Sequence, residues 1–305
     1  MHAEIEVFLT RGEGDFTDLA LRLFRWQVAR NAAYARIAEG VSPARVEEIP
    51  AVPVALFKSV RLACFDGPGI VFRTSGTTGG GRGEHHLRDT RLYDLGAARH
   101  FRACVPDAPP RVYSLCGDDA DSSLAHMVAL FGARVPEPVG PVFFAATAFA
   151  MDAWPGAAAL DARSVVMITG GFKGRQTRLD APALYRSLSR LGTPRVVGEY
   201  GMTELSSQLW TDPVPAGELP GRFRAPPWLR AYTVDPATGE PVAGEGLLRF
   251  VDLANVDSVL AIETMDVGVV DGPWVDLRGR LAGAEARGCS LRAEELLSAA
   301  RRSGV

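Results

Sequence analysis

The chain has 305 residues, 47% of them hydrophobic and 23% charged, with a formal net charge of −3. This composition excludes disorder, collagen and coiled coil, and a chain of this length buries roughly three quarters of its unfolded surface in one or two domains. The slightly acidic balance offers no global basic field for nucleic acid or an anionic membrane.

In chain order, residues 17–38 read as an amphipathic helix, with Leu19, Leu23, Trp26, Ala33 and Ile37 near one face. Residues 49–57 contain Pro50 and Pro53 and read as an extended entry arm. Strand-like and helix-like segments then alternate. Residues 70–73, 111–116, 164–169 and 195–200 read as strands, and 90–105, 122–131 and 183–191 as helices. Such alternation predicts an α/β sheet with helices on its faces. Five prolines between 211 and 227 mark a boundary. Short strands follow at 228–234, 246–251, 259–263 and 274–277, and a last short helix at 293–302. The expected division is an α/β core with a helical arm over 1–210 and a β-rich lobe over 211–305.

The longest nearly apolar run, 141–151, is too short to cross a bilayer, and residues 1–15 lack the pattern of a secretory signal. The four cysteines, Cys64, Cys104, Cys116 and Cys289, form no CxxC pair. A reduced, cytoplasmic protein without membrane insertion is the expectation. Lys58 and Lys173 are the only lysines among 33 basic residues. A surviving lysine in an arginine-rich chain hints that a compact ammonium is needed there.

The most informative segment is FRTSGTTGGGRG at 72–83. It leaves a strand, and its glycines let successive backbone N–H groups converge on an anion. Thr74, Ser75, Thr77 and Thr78 add hydroxyls. It is not a Walker A loop, because aligning Gly76 and Gly81 puts Arg82 and Gly83 where Lys and Ser/Thr belong. There is also no G-x-S-x-G nucleophile elbow, and His85 and His86 lack zinc-ligand spacing.

TSGTTG resembles the phosphate-binding motif of the adenylate-forming (acyl-adenylate, ANL) enzymes. EYGMTE at 199–204 resembles the aromatic-Gly-x-Thr-Glu motif of that superfamily. ETMDVG at 263–268 is similar to its late aspartate motif, and LRGR at 277–280 to its hinge Gly-Arg. All four occur in family order. LFRWQ at 23–27, IPAVPVALFK at 49–58, TGGFKGR at 169–175 and GCSLRAEEL at 288–296 narrow the resemblance to acyl-protein synthetases of the LuxE type.

The resemblance implies the family's large-domain fold, α/β sheet layers with a β-rich second lobe. It implies ATP and Mg²⁺ as cofactors and a carboxylic, by resemblance fatty, acid as substrate. Thr74, Ser75, Gly76, Thr77, Thr78 and Gly79 would cradle the phosphates, and Thr203 would donate to the α-phosphate. Glu204 would ligate magnesium. Glu199, Tyr200, Gly201 and Met202 would bind the nucleotide, with Tyr200 near the adenine, while Asp266 would accept from ribose hydroxyls and Arg280 would contact ribose or phosphate. His126, Gly170, Gly171, Phe172 and Gly198, with Met127, would line the acid pocket, while Phe143 and Phe144 read better as core. Few residues follow Arg280, so the family's lysine-bearing C-terminal lobe is not expected, and Lys173 is the substitute cation. Cys289, flanked by Arg287 and Arg292, is the acyl acceptor before transfer to a reductase. Two alternatives are an acid–CoA ligase of the phenylacetate type, with CoA or a carrier protein as acceptor, and a nucleotide-binding module without catalysis.

Overall fold

The computed structural model describes residues 1–75, 81–156, 159–170, 180–192 and 194–281. These form two compact units, each described by itself. One comprises Met1–Gly96, Thr203–Ser207 and the chain from Ala225 onward; the other comprises Ala97–Met202 and Gln208–Arg224. The units are interleaved in sequence, so no single cut separates them.

The first unit opens with α1 (His2–Arg11), which sequence periodicity did not single out. Its Ile5, Phe8 and Leu9 are buried. The predicted helix over 17–38 is two helices, α2 (Phe16–Val28) and α3 (Ala32–Ile37). The break has a local cause: Asn31 is extended and its side chain accepts from the Tyr34 N–H, capping α3. Asp15 caps α2 in the same way through the Asp18 N–H. The expected extended arm is correct only for β1 (Val52–Pro53), which pairs parallel with a later strand; Val54–Lys58 coils into a 3₁₀ turn that buries Leu56 and Phe57. Next, β2 (Ile70–Arg73) and β3 (Glu84–Leu87) form an antiparallel hairpin around the glycine-rich segment.

Helix α4 (Arg91–Cys104) leads into the second unit. There β4 (Arg111–Ser114), α5 (Ser123–Ala129), β5 (Ala133–Arg134), β6 (Phe143–Thr147), α6 (Ala148–Ala153), β7 (Val165–Thr169), α7 (Ala181–Ser187) and β8 (Arg195–Tyr200) follow in order. Strands β4, β6, β7 and β8 are parallel neighbours, and β5 lies outside β4. The apolar run 141–151 is therefore a central strand and the start of a helix. All five residues of β7 are buried, as expected of a parallel strand covered on both faces. Antiparallel β9 (Leu209–Thr211) and β10 (Val214–Pro215) pair with β8, and β11 (Phe223–Arg224) pairs with β9. On one face Phe101, Phe131, Phe143 and Trp210 cluster, with Phe101 and Phe131 stacked at 3.9 Å.

The chain then completes the first unit with a meander, β12 (Leu229–Val234), β13 (Glu245–Asp252), β14 (Ala261–Asp271) and β15 (Trp274–Arg280). Strand β1 adds to β14. The β13–β14 connection is anchored by a polar residue: the buried Gln27 of α2 donates to the carbonyls of Asn255 and Val256 and accepts from Leu260 N–H. Among the described residues, no helix is long and apolar enough to cross a membrane. The predicted helix at 293–302 lies outside the described residues.

Candidate active site

In the first unit the β2–β3 hairpin brings the glycine-rich segment to a defined neck. Arg73 and Glu84 are cross-strand partners and form an ion pair at 2.9 Å. One step further in, Thr74 N–H donates to Gly83 O at 3.0 Å, and Gly83 N–H donates to Thr74 Oγ1 at 2.8 Å. Arg82 Nε donates to Thr74 O at 2.6 Å. The Thr74 hydroxyl oxygen thus helps to close the neck, while Ser75 is exposed. Gly76, Thr77, Thr78 and Gly79 lie outside the described residues. The 3₁₀ turn flanks the neck: a Cβ on Gly81 would stand 3.8 Å from Lys58 O, and the Phe57 ring meets His85 edge-on at 6.2 Å.

The irregular segment 203–207 belongs to the same unit. Its main chain is held largely by side chains from elsewhere. His85 Nδ1 lies 2.7 Å from Thr203 O, and His85 Nε2 lies 2.7 Å from Asn255 Oδ1. Asn255 Nδ2 donates to Glu204 O at 3.0 Å. Asp252 accepts from Ser206 N–H and Ser207 Oγ–H, and Ser207 Oγ also accepts from Trp228 Nε1–H. Burial lowers the His85 imidazolium pKa to about 4, so the ring is neutral at pH 7. A carbonyl can only accept, so Nδ1 carries the proton toward Thr203.

Glu204 is buried, and burial pushes its carboxyl up to about 7. The positive fields of Arg280 and Lys58 pull in the other direction. Arg280 stands opposite Asp266 in the β14–β15 register, 3.8 Å away as an ion pair. Two separate sequence motifs therefore meet as cross-strand neighbours. Glu263, three residues before Asp266, is instead taken by the Arg249 guanidinium at 2.8 Å and lies buried.

In the second unit the candidate residues gather at the carboxyl ends of parallel strands, where open α/β sheets bind ligands. Thr169 and Glu199 end β7 and β8 in register, and the Thr169 hydroxyl donates to Glu199 Oε2. Glu199 is buried, and desolvation pushes its carboxyl up to about 7. Gly201 is required next to it: a Cβ there would stand 2.5 Å from Glu199 Oε1. The half-buried Tyr200 ring lies 6.0 Å from Phe223. Gly170 leaves β7 with a φ of +45°, a conformation that suits glycine.

The residues expected to line the acid pocket are placed as follows. His126 lines a cavity of about 470 Å³ with Ser114, Asp118, Asp119, Ser122 and Arg134. Gly198 has a packing reason to be glycine, because Thr211 and Phe223 fill the space where its side chain would be. Met127 belongs to the core, as the fully buried Phe143 and Phe144 do. Gly171, Phe172, Lys173 and Cys289 lie outside the described residues. Cys64, Cys104 and Cys116 have thiol pKa values raised by burial, which suits inert rather than nucleophilic thiols.

No cluster of three or more His, Cys, Asp or Glu side chains suited to a metal is present among the described residues. A single buried carboxylate such as Glu204 still fits magnesium, which takes one or two carboxylates and draws its remaining ligands from phosphates and water. Four participants lay outside the sequence-based site. The His85 ring bonds Thr203 O and Asn255. Asn255 and Asp252 carry no local signal at all. Lys58 did carry one, the scarcity of lysine, but only Lys173 was followed.

No protein-family model matches the chain, and no curated protein matches it. Solved structures do. The chain is similar to a 2-hydroxyisobutyryl-CoA ligase in an open conformation, in complex with 2-HIB-AMP and CoA, with a TM-score of 0.60 and 13% identity over 88% of this chain and 75% of that one. It is also similar to McyG A-PCP complexed with phenylalanyl-adenylate, with a TM-score of 0.51 and 15% identity over 69% of this chain and 46% of that one. ATP-bound MatB from Rhodopseudomonas palustris matches with a TM-score of 0.49 and 17% identity, over 69% and 47%. The chain spans about half the length of the last two proteins. The chain shares its mixed α/β fold with the 2-hydroxyisobutyryl-CoA ligase and with McyG A-PCP.

Proposed function

We propose that the protein activates a carboxylic acid as an acyl-adenylate at the expense of ATP. The observation that carries this reading is the grouping in the first unit: Glu204 lies within the fields of Arg280 and Lys58, Arg280 faces Asp266, and His85 bonds the Thr203 carbonyl from the hairpin of the glycine-rich segment. This grouping suits a polyanion with one carboxylate for a cation, and three of the four motifs contribute to it, joined by His85 and Lys58.

In the reaction the acid's carboxylate oxygen attacks the α-phosphorus, the bond to the bridging oxygen breaks, and pyrophosphate leaves. Negative charge grows on the α-phosphate and the leaving group, so prearranged donors and cations stabilise the transition state most. The Thr203 hydroxyl and the backbone amides of the loop would donate to phosphate oxygens. Arg280 and Lys58 would add positive charge, and Asp266 would accept from ribose hydroxyls. A magnesium ion held by Glu204 would screen the phosphates as a Lewis acid. The acyl group would then pass to a thiol: sulfur attacks the acyl carbon, the mixed-anhydride C–O bond breaks, and AMP leaves. Cys289 of this chain is the proposed thiol, by its resemblance to LuxE-type synthetases, with a reductase as the next acceptor and a fatty acid as substrate.

Incubation with ATP, Mg²⁺ and a panel of carboxylic acids, read by pyrophosphate release and intact mass, tests both parts. An ATP-dependent acyl adduct on Cys289 supports the full reading. Pyrophosphate release without an adduct keeps adenylation and moves the acceptor to CoA, a carrier or a partner. ATP binding without pyrophosphate release for any acid overturns the enzyme reading in favour of a nucleotide-binding module.

A further inference from the structure

We propose that His85 and Asn255 are positioning residues that tie strand β3 of the hairpin to the Thr203–Glu204 segment, so that the backbone carrying the carboxylate for the cation is held against the neck of the hairpin. The inference rests on the adenylation reading for the identity of the ligands, but its geometry is independent of it.

Thr203 and Glu204 lie in irregular backbone, outside helix and strand. Buried carbonyls in such a segment need partners from elsewhere. The carbonyl of Thr203 meets His85 Nδ1 at 2.7 Å, and the carbonyl of Glu204 accepts from Asn255 Nδ2 at 3.0 Å. The two side chains also meet each other at 2.7 Å, closing a bracket around two successive peptide groups. Both side chains are buried, with His85 at 0% and Asn255 at 0% exposure. His85 lies on β3, the return strand of the hairpin, one residue after the Arg73–Glu84 pair that closes the neck. Asn255 is fixed in turn by Gln27 through its main-chain carbonyl. A displacement of the hairpin must therefore move Thr203, and the backbone that aims the Glu204 carboxylate moves with it. Groups that orient a metal ligand typically change metal affinity about 10- to 100-fold when removed.

The test compares His85→Ala, His85→Asn and Asn255→Ala with Val251→Ala, a buried core truncation in the same unit. Two readouts serve in the full-length protein: the thermal shift produced by a non-hydrolysable ATP analogue across a magnesium titration, and the magnesium dependence of pyrophosphate release. His85→Ala and Asn255→Ala should raise the magnesium needed for the half-maximal analogue shift by about tenfold. His85→Asn, whose amide can donate where Nδ1 does, should recover most of the loss. Val251→Ala should lower the melting temperature and leave the magnesium requirement unchanged. If His85→Ala and Asn255→Ala lose stability alone, with the requirement of Val251→Ala, the proposal is overturned. A wild-type protein that shows the magnesium-dependent shift but releases no pyrophosphate would refute adenylation, and the thermal-shift comparison would still decide the bracket.

Discussion

Two buried glutamates five residues apart illustrate how differently one chain can treat the same side chain. Glu199 ends a parallel strand in the second unit, and Glu204 lies in the irregular segment of the first. Burial pushes both carboxyls up to about 7. Around Glu199 the named partner is a hydroxyl, Thr169, which satisfies one oxygen without favouring charge strongly. Around Glu204 two cations, Arg280 and Lys58, oppose the burial. The first site suits a carboxylic acid that stays neutral and structural. The second suits a carboxylate that gains its full charge when a metal ion arrives. Perturbed acidity alone does not mark a catalytic group; the sign of its neighbours decides.

The largest expected effect tests the functional side of this contrast. Glu204→Gln should reduce pyrophosphate release about a thousandfold, an effect of about 4 kcal/mol on the barrier, while leaving the fold intact. A loss below about tenfold would remove Glu204 from cation binding.

Glu199→Gln tests the other side through pH. A carboxyl whose folded pKa lies above its unfolded value contributes stability below the unfolded pKa and loses it as pH rises through the folded pKa. Between the ordinary value of 4.5 and about 7, wild-type stability should therefore fall. The neutral isostere escapes that loss, so Glu199→Gln should be the more stable protein at pH 8 by up to about 3 kcal/mol, with the gap closing toward pH 4.5. Urea midpoints at the two pH values measure this, and a gap independent of pH would contradict the assignment.

Gly201→Ala should separate the two glutamates further. Its Cβ would intrude on Glu199 Oε1. The expected cost is about 2 kcal/mol from overpacking, read by thermal unfolding, with the magnesium requirement unchanged. Lys58→Ala should be mildest, because its head is solvent-exposed: a loss of about fivefold in pyrophosphate release that shrinks at high salt. Lys58→Arg should keep most of the activity.

How much of this could be read from the letters depended on distance along the chain. Strands β2, β4, β7 and β8 and the four motif strings are local, and period and turn residues announce them, whereas β3, β5 and β6 carried no such signal. The break at Asn31 was local too, yet it was hidden by an apolar stripe that continues across it. The run 141–151 looked like a membrane question and became the central strand β6 with the start of α6. What stayed illegible was everything nonlocal. His85 meets Asn255 170 positions away, and Gln27 reaches the same loop from α2. No periodicity encodes such a meeting. The interleaving of the units is the same phenomenon at larger scale: residues 1–96 share a unit with the chain from Ala225 because their strands and buried polar groups find partners there. Motif matching placed Asp266 and Arg280 in one list, but only the register of two strands placed them face to face.

That register carries a consequence for how the chain can change length. From the Asp271–Trp274 end, β14 and β15 pair residue for residue as far as Gly268 and Leu277, and the next partners are Val267 and Gly279. Arg278 is thus supernumerary, the extra residue of a bulge. Losing it alone would restore regular pairing and still leave Asp266 opposite Arg280. Losing one residue from 274 to 277 shifts side chains only between the turn and the bulge, which absorbs the change and leaves Asp266 opposite Arg280. A single-residue deletion on the β15 side of this hairpin should therefore keep the aspartate–arginine pair.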